Sequence, residues 1–157
     1  MRLTLINQFY VPDISPTAHL AASLAEHRAA RGDQVTVVTG AGGYVAESTR
    51  GGAPARENPR VVRLWTPSLG RKTILRRVAD YASFYALAAV ELLKLPPQDA
   101  IIAMTTPPFI ACAGLLHKGL HPRSRLILWS MDCYPEAAER AGVLNRRGVL
   151  SAIMRVV

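Results

Sequence analysis

Short β-branched runs alternate with longer helical stretches along this chain, and that alternation restricts the fold more than any other feature. Arg2–Phe9, with Leu3, Leu5 and Ile6, reads as a first buried strand. Gln34–Thr39 (QVTVVT), Val61–Trp65, Asp99–Met104 and Arg125–Met131 read as four more. Several are apolar on both faces, as strands are when both sides of a sheet are covered. Between them, helices are expected over Ala18–Arg31, Arg71–Leu95 and Phe109–Gly119. Strand and helix in turn predict an α/β domain, a parallel sheet with helices on both faces.

Local signals place the element ends. Tyr10–Pro16 holds two prolines and an aspartate and reads as a loop. Thr17 is the expected N-cap of the first helix, with Leu20, Leu24 and His27 at helical spacing behind it. Gly32 stands where a helix-ending glycine belongs. Pro96-Pro97 stops the long helix. Gly40–Pro59 is rich in Gly, Pro, Ala and charge without periodicity, and is expected to be a long mobile loop. Gly148–Val157 looks helical, with Val149, Leu150, Ile153 and Val157 on one side and Arg155 on the other. It stops without a cap, and the expectation is a chain cut off before its partner surface. The plainer alternative is a C-terminal docking helix.

A length of 157 residues suits one domain, and a 50% hydrophobic content supplies a core. The net charge of +8 favours anionic partners. Cys112 and Cys133 have no CxxC spacing, so neither a metal site nor a disulfide framework is expected. The N-terminal apolar segment is too short for a secretory signal. The uncharged stretch from Ala100 to His117 is interrupted by Thr105-Thr106-Pro107-Pro108, so it reads as strand, turn and helix rather than a membrane span.

Familiar catalytic motifs are missing. The sequence has no GxGxxG after its first strand, no P-loop, no HExxH and no GxSxG, so no cofactor and no metal is expected. What remains lies at the carboxyl ends of strands, where open α/β sheets bind ligands. The first strand ends in Asn7-Gln8-Phe9-Tyr10-Val11-Pro12-Asp13, the fourth in Thr105-Thr106-Pro107-Pro108, and the fifth in Trp129-Ser130-Met131-Asp132-Cys133-Tyr134-Pro135-Glu136. A carboxylate directly after a buried strand, such as Asp132, can accept a proton or a hydroxyl hydrogen bond. Thr105 and Thr106 can offer hydroxyls and helix N-terminal amides to an anion. Asp132 and Thr106 are equally suited to cap helices.

Taken together these segments resemble the N-terminal domain of family 4 retaining glycosyltransferases of the bacterial cell-surface polysaccharide type. The resemblance rests on NQFYVPDISPTAHLAASLAEHRAARGDQVTVVTG, on TTPPF and on WSMDCYPE, in that order, and covers nearly the whole chain. It implies a Rossmann-like α/β domain, the acceptor-binding half of a GT-B fold. Residues 1–157 would be that domain, with 146–157 starting the helix that links to an absent donor domain. On this resemblance Asp132 orients the acceptor or acts as a base, and Thr105, Thr106 and Glu136 line the acceptor side. Ser15 and Thr17 fall in the loop that lies near the donor phosphates in the family. There many members carry two glycines, whereas Pro16 here donates no amide.

The implied reaction moves a sugar from a nucleotide sugar to a lipid-linked glycan acceptor. The nucleotide sugar would bind only with a donor domain, and the isolated chain would be inactive. Arg71, Lys72, Arg76 and Arg77 open the long helix, which continues with Tyr81, Phe84 and Tyr85. Such a helix suits an anionic membrane surface, which places the protein in the cytoplasm on the inner face of the cell membrane. A packed crossover helix with a solvated basic end is the other reading. The basic residues are otherwise scattered and no nucleic-acid module is present, so nucleic acid is not an expected partner. The alternatives to an enzyme half are a non-catalytic module that holds acceptor and membrane and recruits a separate donor-binding subunit, or a small α/β domain with an unrelated ligand.

Overall fold

The structure, a computed structural model, describes residues 1–41, 58–65 and 74–131. Its strands are β1 (Arg2–Ile6), β2 (Gln34–Gly40), β3 (Arg60–Leu64), β4 (Ala100–Met104) and β5 (Arg125–Trp129). Its helices are α1 (Pro16–Ala30), α2 (Ile74–Lys94) and α3 (Ala111–Leu120). The strands form one sheet in the order β3-β2-β1-β4-β5, and every neighbouring pair runs parallel. This is a Rossmann-like α/β fold, as the alternation of elements predicts.

Successive side chains of a strand point to opposite faces, so each central strand feeds two cores. Leu3 and Leu5 of β1, with Val35 and Val37 of β2, pack against Ala21, Ala22 and Ala25 of α1. Ile6 and Val38 turn the other way, to Phe84, Ala88 and Leu92 of α2 and Ala113 of α3. Both faces are therefore covered, which is why the central strands read as nearly continuous apolar runs. β5 lies at the sheet edge, and there Ile127 and Leu128 are exposed, as are Leu115, Leu116 and Leu120 of α3.

Two details of α1 differ from the sequence expectation. Its N-cap is Ser15, not Thr17, and the Ser15 hydroxyl accepts from the Ala18 amide at 3.1 Å. Pro16 explains the shift, because a proline fits the first helical position, where an amide would have no partner. The inward stripe is Ala18, Ala21, Ala22 and Ala25, whereas Leu20 is 40% exposed and His27 is exposed. Small side chains let the helix axis approach the sheet, and burial then follows the closer face rather than the more hydrophobic one. Gly32 ends the helix at φ +87°, the left-handed conformation expected of it.

At the amino edge of the sheet, Asp33 pairs with the Met1 amino group at 2.9 Å and with Arg28 at 2.5 Å. The bond from the amino group, with help from Arg28, holds the Asp33 carboxyl below its ordinary value, against the opposing effect of burial. Asn58 guides the entry to β3: its side chain accepts from Val35 N and donates to Asp33 O. Of the expected loop Gly40–Pro59, Gly40 belongs to β2 and residues 42–57 lie outside the described residues, as does the expected helix over 148–157.

Candidate functional site

The chain runs from β1 outward to β2 and β3, then crosses back to β4 and β5 on the other side. The crevice at the carboxyl ends of β1 and β4 is thus the point where strand order reverses, the usual ligand position in such sheets. Gln8 sits in its middle. Its amide donates to Thr106 O at 2.8 Å, while its carbonyl accepts from Gly40 N at 3.0 Å and from Thr39 Oγ1 at 3.1 Å. A Cβ on Gly40 would stand 3.0 Å from that carbonyl, so a glycine permits this approach. The backbone of β1 is tied on both sides just past its last ladder residue.

Beyond Gln8 the chain folds back on itself. Asn7 Nδ2 donates to Phe9 O at 2.7 Å, and Asp13 N donates to Tyr10 O at 3.0 Å. Tyr10 N in turn approaches Asp13 Oδ2 at 3.4 Å. Asn7 and Asp13 are 0% and 1% exposed. Three buried side-chain oxygens of this turn, Asn7 Oδ1, Gln8 Oε1 and Asp13 Oδ1, have no hydrogen-bond partner among the described residues. Buried acceptors are normally satisfied, and each one left unmade costs about 1–3 kcal/mol. The turn is therefore rich in buried acceptors. Asn7–Asp13 is one of the three strand ends that the sequence offers as candidate site, but the burial of its polar side chains is not legible there.

The segment after β4 is held from two sides. Thr105 Oγ1 accepts from Met131 N at 3.0 Å, which joins the ends of β4 and β5. The Tyr85 hydroxyl of α2 donates to Pro108 O, and burial pushes its pKa up to about 12, with Tyr81 and Cys112 adding to the effect. Thr105 and Thr106 share the carboxyl edge with the Asn7–Asp13 turn, as the Gln8–Thr106 bond requires.

They do not open a helix, however, and here the sequence expectation is corrected. α3 begins at Ala111, its N-cap is Ile110, and no side chain caps it. Pro107, Pro108 and Phe109 intervene, the last at φ +65°. The amides of Ile110, Cys112 and Ala113 already donate to Pro107, Phe109 and Ile110 carbonyls. Such an N-terminus has little left to offer an anion.

Ser15 and Thr17 are also engaged, with 3.2 Å between their hydroxyls and the Ser15 hydroxyl on Ala18 N. Asp132 and Glu136 lie outside the described residues, as do Arg71 and Lys72. Arg76 and Arg77 fall in the first turn of α2, but their side chains are outside the described part. Among the described residues no cluster of three or more His, Cys, Asp or Glu could hold a metal ion, and no helix is long and apolar enough to cross a membrane. Cys112 is a free, exposed thiol on α3.

Comparison with protein-family models, curated proteins and solved structures finds no match for the chain. The fold and the chemistry of the edge are therefore the ground for a functional reading.

Proposed function

We propose that this chain is the acceptor-side domain of a retaining glycosyltransferase of GT-B architecture, acting in cell-surface polysaccharide biosynthesis. The observation that carries the reading is the switch point between β1 and β4, where the Asn7–Asp13 turn and the Thr105-Thr106 segment meet at the carboxyl edge of the sheet. A small polar ligand such as a carbohydrate binds at such an edge in open α/β sheets. Thr105 and Thr106 stand on the same edge, and Asp132 follows directly on Met131, whose amide rests on Thr105. Asp132 would orient the acceptor hydroxyl or draw off its proton, with Glu136 nearby in sequence.

The same geometry argues against a nucleotide diphosphate here. Pro16 has no amide, and the Ser15 hydroxyl is occupied by its own helix. Donor binding belongs to a second domain, as does most stabilisation of the leaving diphosphate. Arg76 and Arg77 in the first turn of α2, with Arg71 and Lys72 just before it in sequence, would meet an anionic membrane that carries a lipid-linked acceptor. The leucine-bearing surface of α3 and β5 adds Lys118, Arg123 and Arg125, and residues 100–131 hold no acidic residue.

Calorimetric titration tests the reading. Short soluble glycans should bind saturably, and common nucleotide sugars should not. Micromolar binding of a nucleotide sugar, with no glycan bound, would overturn it.

A further inference from the structure

The layer formed by α2 and α3 turns an apolar face outward. Buried Ala88 and Leu92 mark the inward side of α2, and buried Ala113 and His117 mark that of α3. Val90 and Leu115 each lie two residues from both members of their pair, so at 3.6 residues per turn they point away from the sheet. The helices lie side by side, since the His117 ring meets Leu92 O at 2.8 Å. Leu87, Val90 and Leu93 of α2 and Leu115, Leu116 and Leu120 of α3 are all exposed. From Ala82 to Leu93 every exposed residue of α2 is alanine, valine or leucine. A surface helix ordinarily presents its polar side outward, and an apolar patch of this kind marks a contact with a protein or a membrane.

The charge around the patch favours an anionic lipid surface. Lys94 and Lys118 stand in the last turns of the two helices, and Arg123 and Arg125 follow, all of them exposed. On α2, Glu91 is paired with Lys94 at 3.3 Å and Asp80 is half-buried, and α3 has no acidic residue. Protein partners draw on hydrogen bonds and on aromatic or arginine anchors. The exposed side chains from Ala82 to Leu93 supply neither. A second copy of the chain would set one basic rim against another.

We propose that the outer face of α2 and α3 docks flat on an anionic lipid surface, with its leucines and valine entering the headgroup boundary and its lysines and arginines meeting lipid phosphate. An anionic membrane is also part of the functional reading, and the proposal rests on that reading for this partner's relevance alone. The docked sheet stands about one helix diameter, ~10 Å, above the lipid. Its carboxyl-edge crevice then opens sideways along the bilayer rather than into it. A ligand anchored in the bilayer would reach that crevice by its headgroup end.

The experiment places a polarity-sensitive fluorophore on either side of the sheet, with Cys133→Ser in both proteins. One label sits on Cys112, the exposed thiol of α3. The other sits on Ser23→Cys with Cys112→Ser, since Ser23 is exposed on α1, which packs on the opposite face. Vesicles of phosphatidylglycerol mixed with phosphatidylcholine should shift the emission of the Cys112 label to the blue and leave the Ser23 label unchanged. Phosphatidylcholine alone should shift neither. Leu93→Gln, Leu116→Gln and Leu120→Gln together should weaken vesicle partitioning at least about tenfold, with unchanged circular dichroism.

Equal shifts of both labels would show unoriented adhesion and overturn the proposal. Partitioning that survives the leucine changes and is lost only on replacing Arg71, Lys72, Arg76 and Arg77 with glutamine overturns this face and leaves the membrane contact of the functional reading standing. A lipid-free dimer, seen by sedimentation velocity and dissolved by the leucine changes, would assign the face to a second copy instead. Absence of vesicle binding in the wild-type protein overturns the docking whether or not soluble glycans bind. Oriented docking without any glycan binding supports it and counts against the acceptor-domain reading.

Discussion

Gly32 and Gly119 provide a paired perturbation whose two signs follow from backbone geometry alone. A Cβ at either position meets nothing within 4 Å, so steric crowding is equal and absent. The backbones differ: Gly32 sits at φ +87°, whereas Gly119 lies within α3. An alanine in the left-handed region costs about 1–2 kcal/mol. Loss of glycine freedom in the unfolded chain returns about 0.4–1 kcal/mol. Gly32→Ala should therefore destabilise by about 1 kcal/mol. Gly119→Ala should stabilise by about 0.5 kcal/mol, at the low end of the helix-interior range because it lies one residue from the helix end.

Urea unfolding followed by circular dichroism reads both. With a slope of about 2 kcal/mol per molar for a chain of this size, the midpoints should fall by about 0.5 M and rise by about 0.25 M. Gly32→Asn should lose less than Gly32→Ala, since asparagine tolerates the left-handed region. A Gly32→Ala midpoint at or above wild type, with an unchanged slope, would refute the assignment of Gly32 as a conformationally demanded helix end.

Four further outcomes are expected. Phe84 is 0% exposed in the core between the sheet and α2. Phe84→Ala should therefore cost about 3–5 kcal/mol in denaturant unfolding. Asp33 has a depressed folded pKa, so its stabilisation is present above its ordinary value of 3.8 and is lost as pH falls through the lower folded value. Melting temperatures of Asp33→Asn should accordingly vary less with acid pH than those of wild type. Tyr85 has the opposite sign: its stabilisation is complete below the ordinary 10.0 and disappears as pH rises towards about 12, so Tyr85→Phe should flatten the alkaline limb of the melting profile. Vesicle co-sedimentation should show binding to anionic but not neutral lipid, weakened by salt and by replacing Arg71, Lys72, Arg76 and Arg77 with glutamine; equal sedimentation with both lipids would remove the membrane contact.

The fold was legible in the sequence because it depends on periodicity. Buried parallel strands need continuous apolar runs, and crossover helices need length, so the five strands and three helices of the sheet could be placed within a few residues. Gly32 was legible for a related reason, since few residues accept φ +87°. The carboxyl-edge position of Thr105 and Thr106 also followed, once a parallel sheet was inferred.

Other features depended on which face meets which neighbour, and sequence spacing does not determine that. The spacing of Leu20, Leu24 and His27 and the alanine stripe of α1 are both helical patterns, and packing against β1 and β2 buried the alanines, kept Leu24 half-buried beside them and left Leu20 and His27 exposed. Thr17 and Ser15 are both good caps, and the fit of Pro16 at the first helical position decided between them. The Thr105-Thr106 segment could have opened a helix, but the turn through Pro107–Phe109 delayed α3 to Ala111 and consumed its free amides. The buried acceptors of Asn7, Gln8 and Asp13 emerged last. A polar residue in a loop reads as solvated until tertiary structure closes over it, and only packing shows that Asn7 and Asp13 are buried.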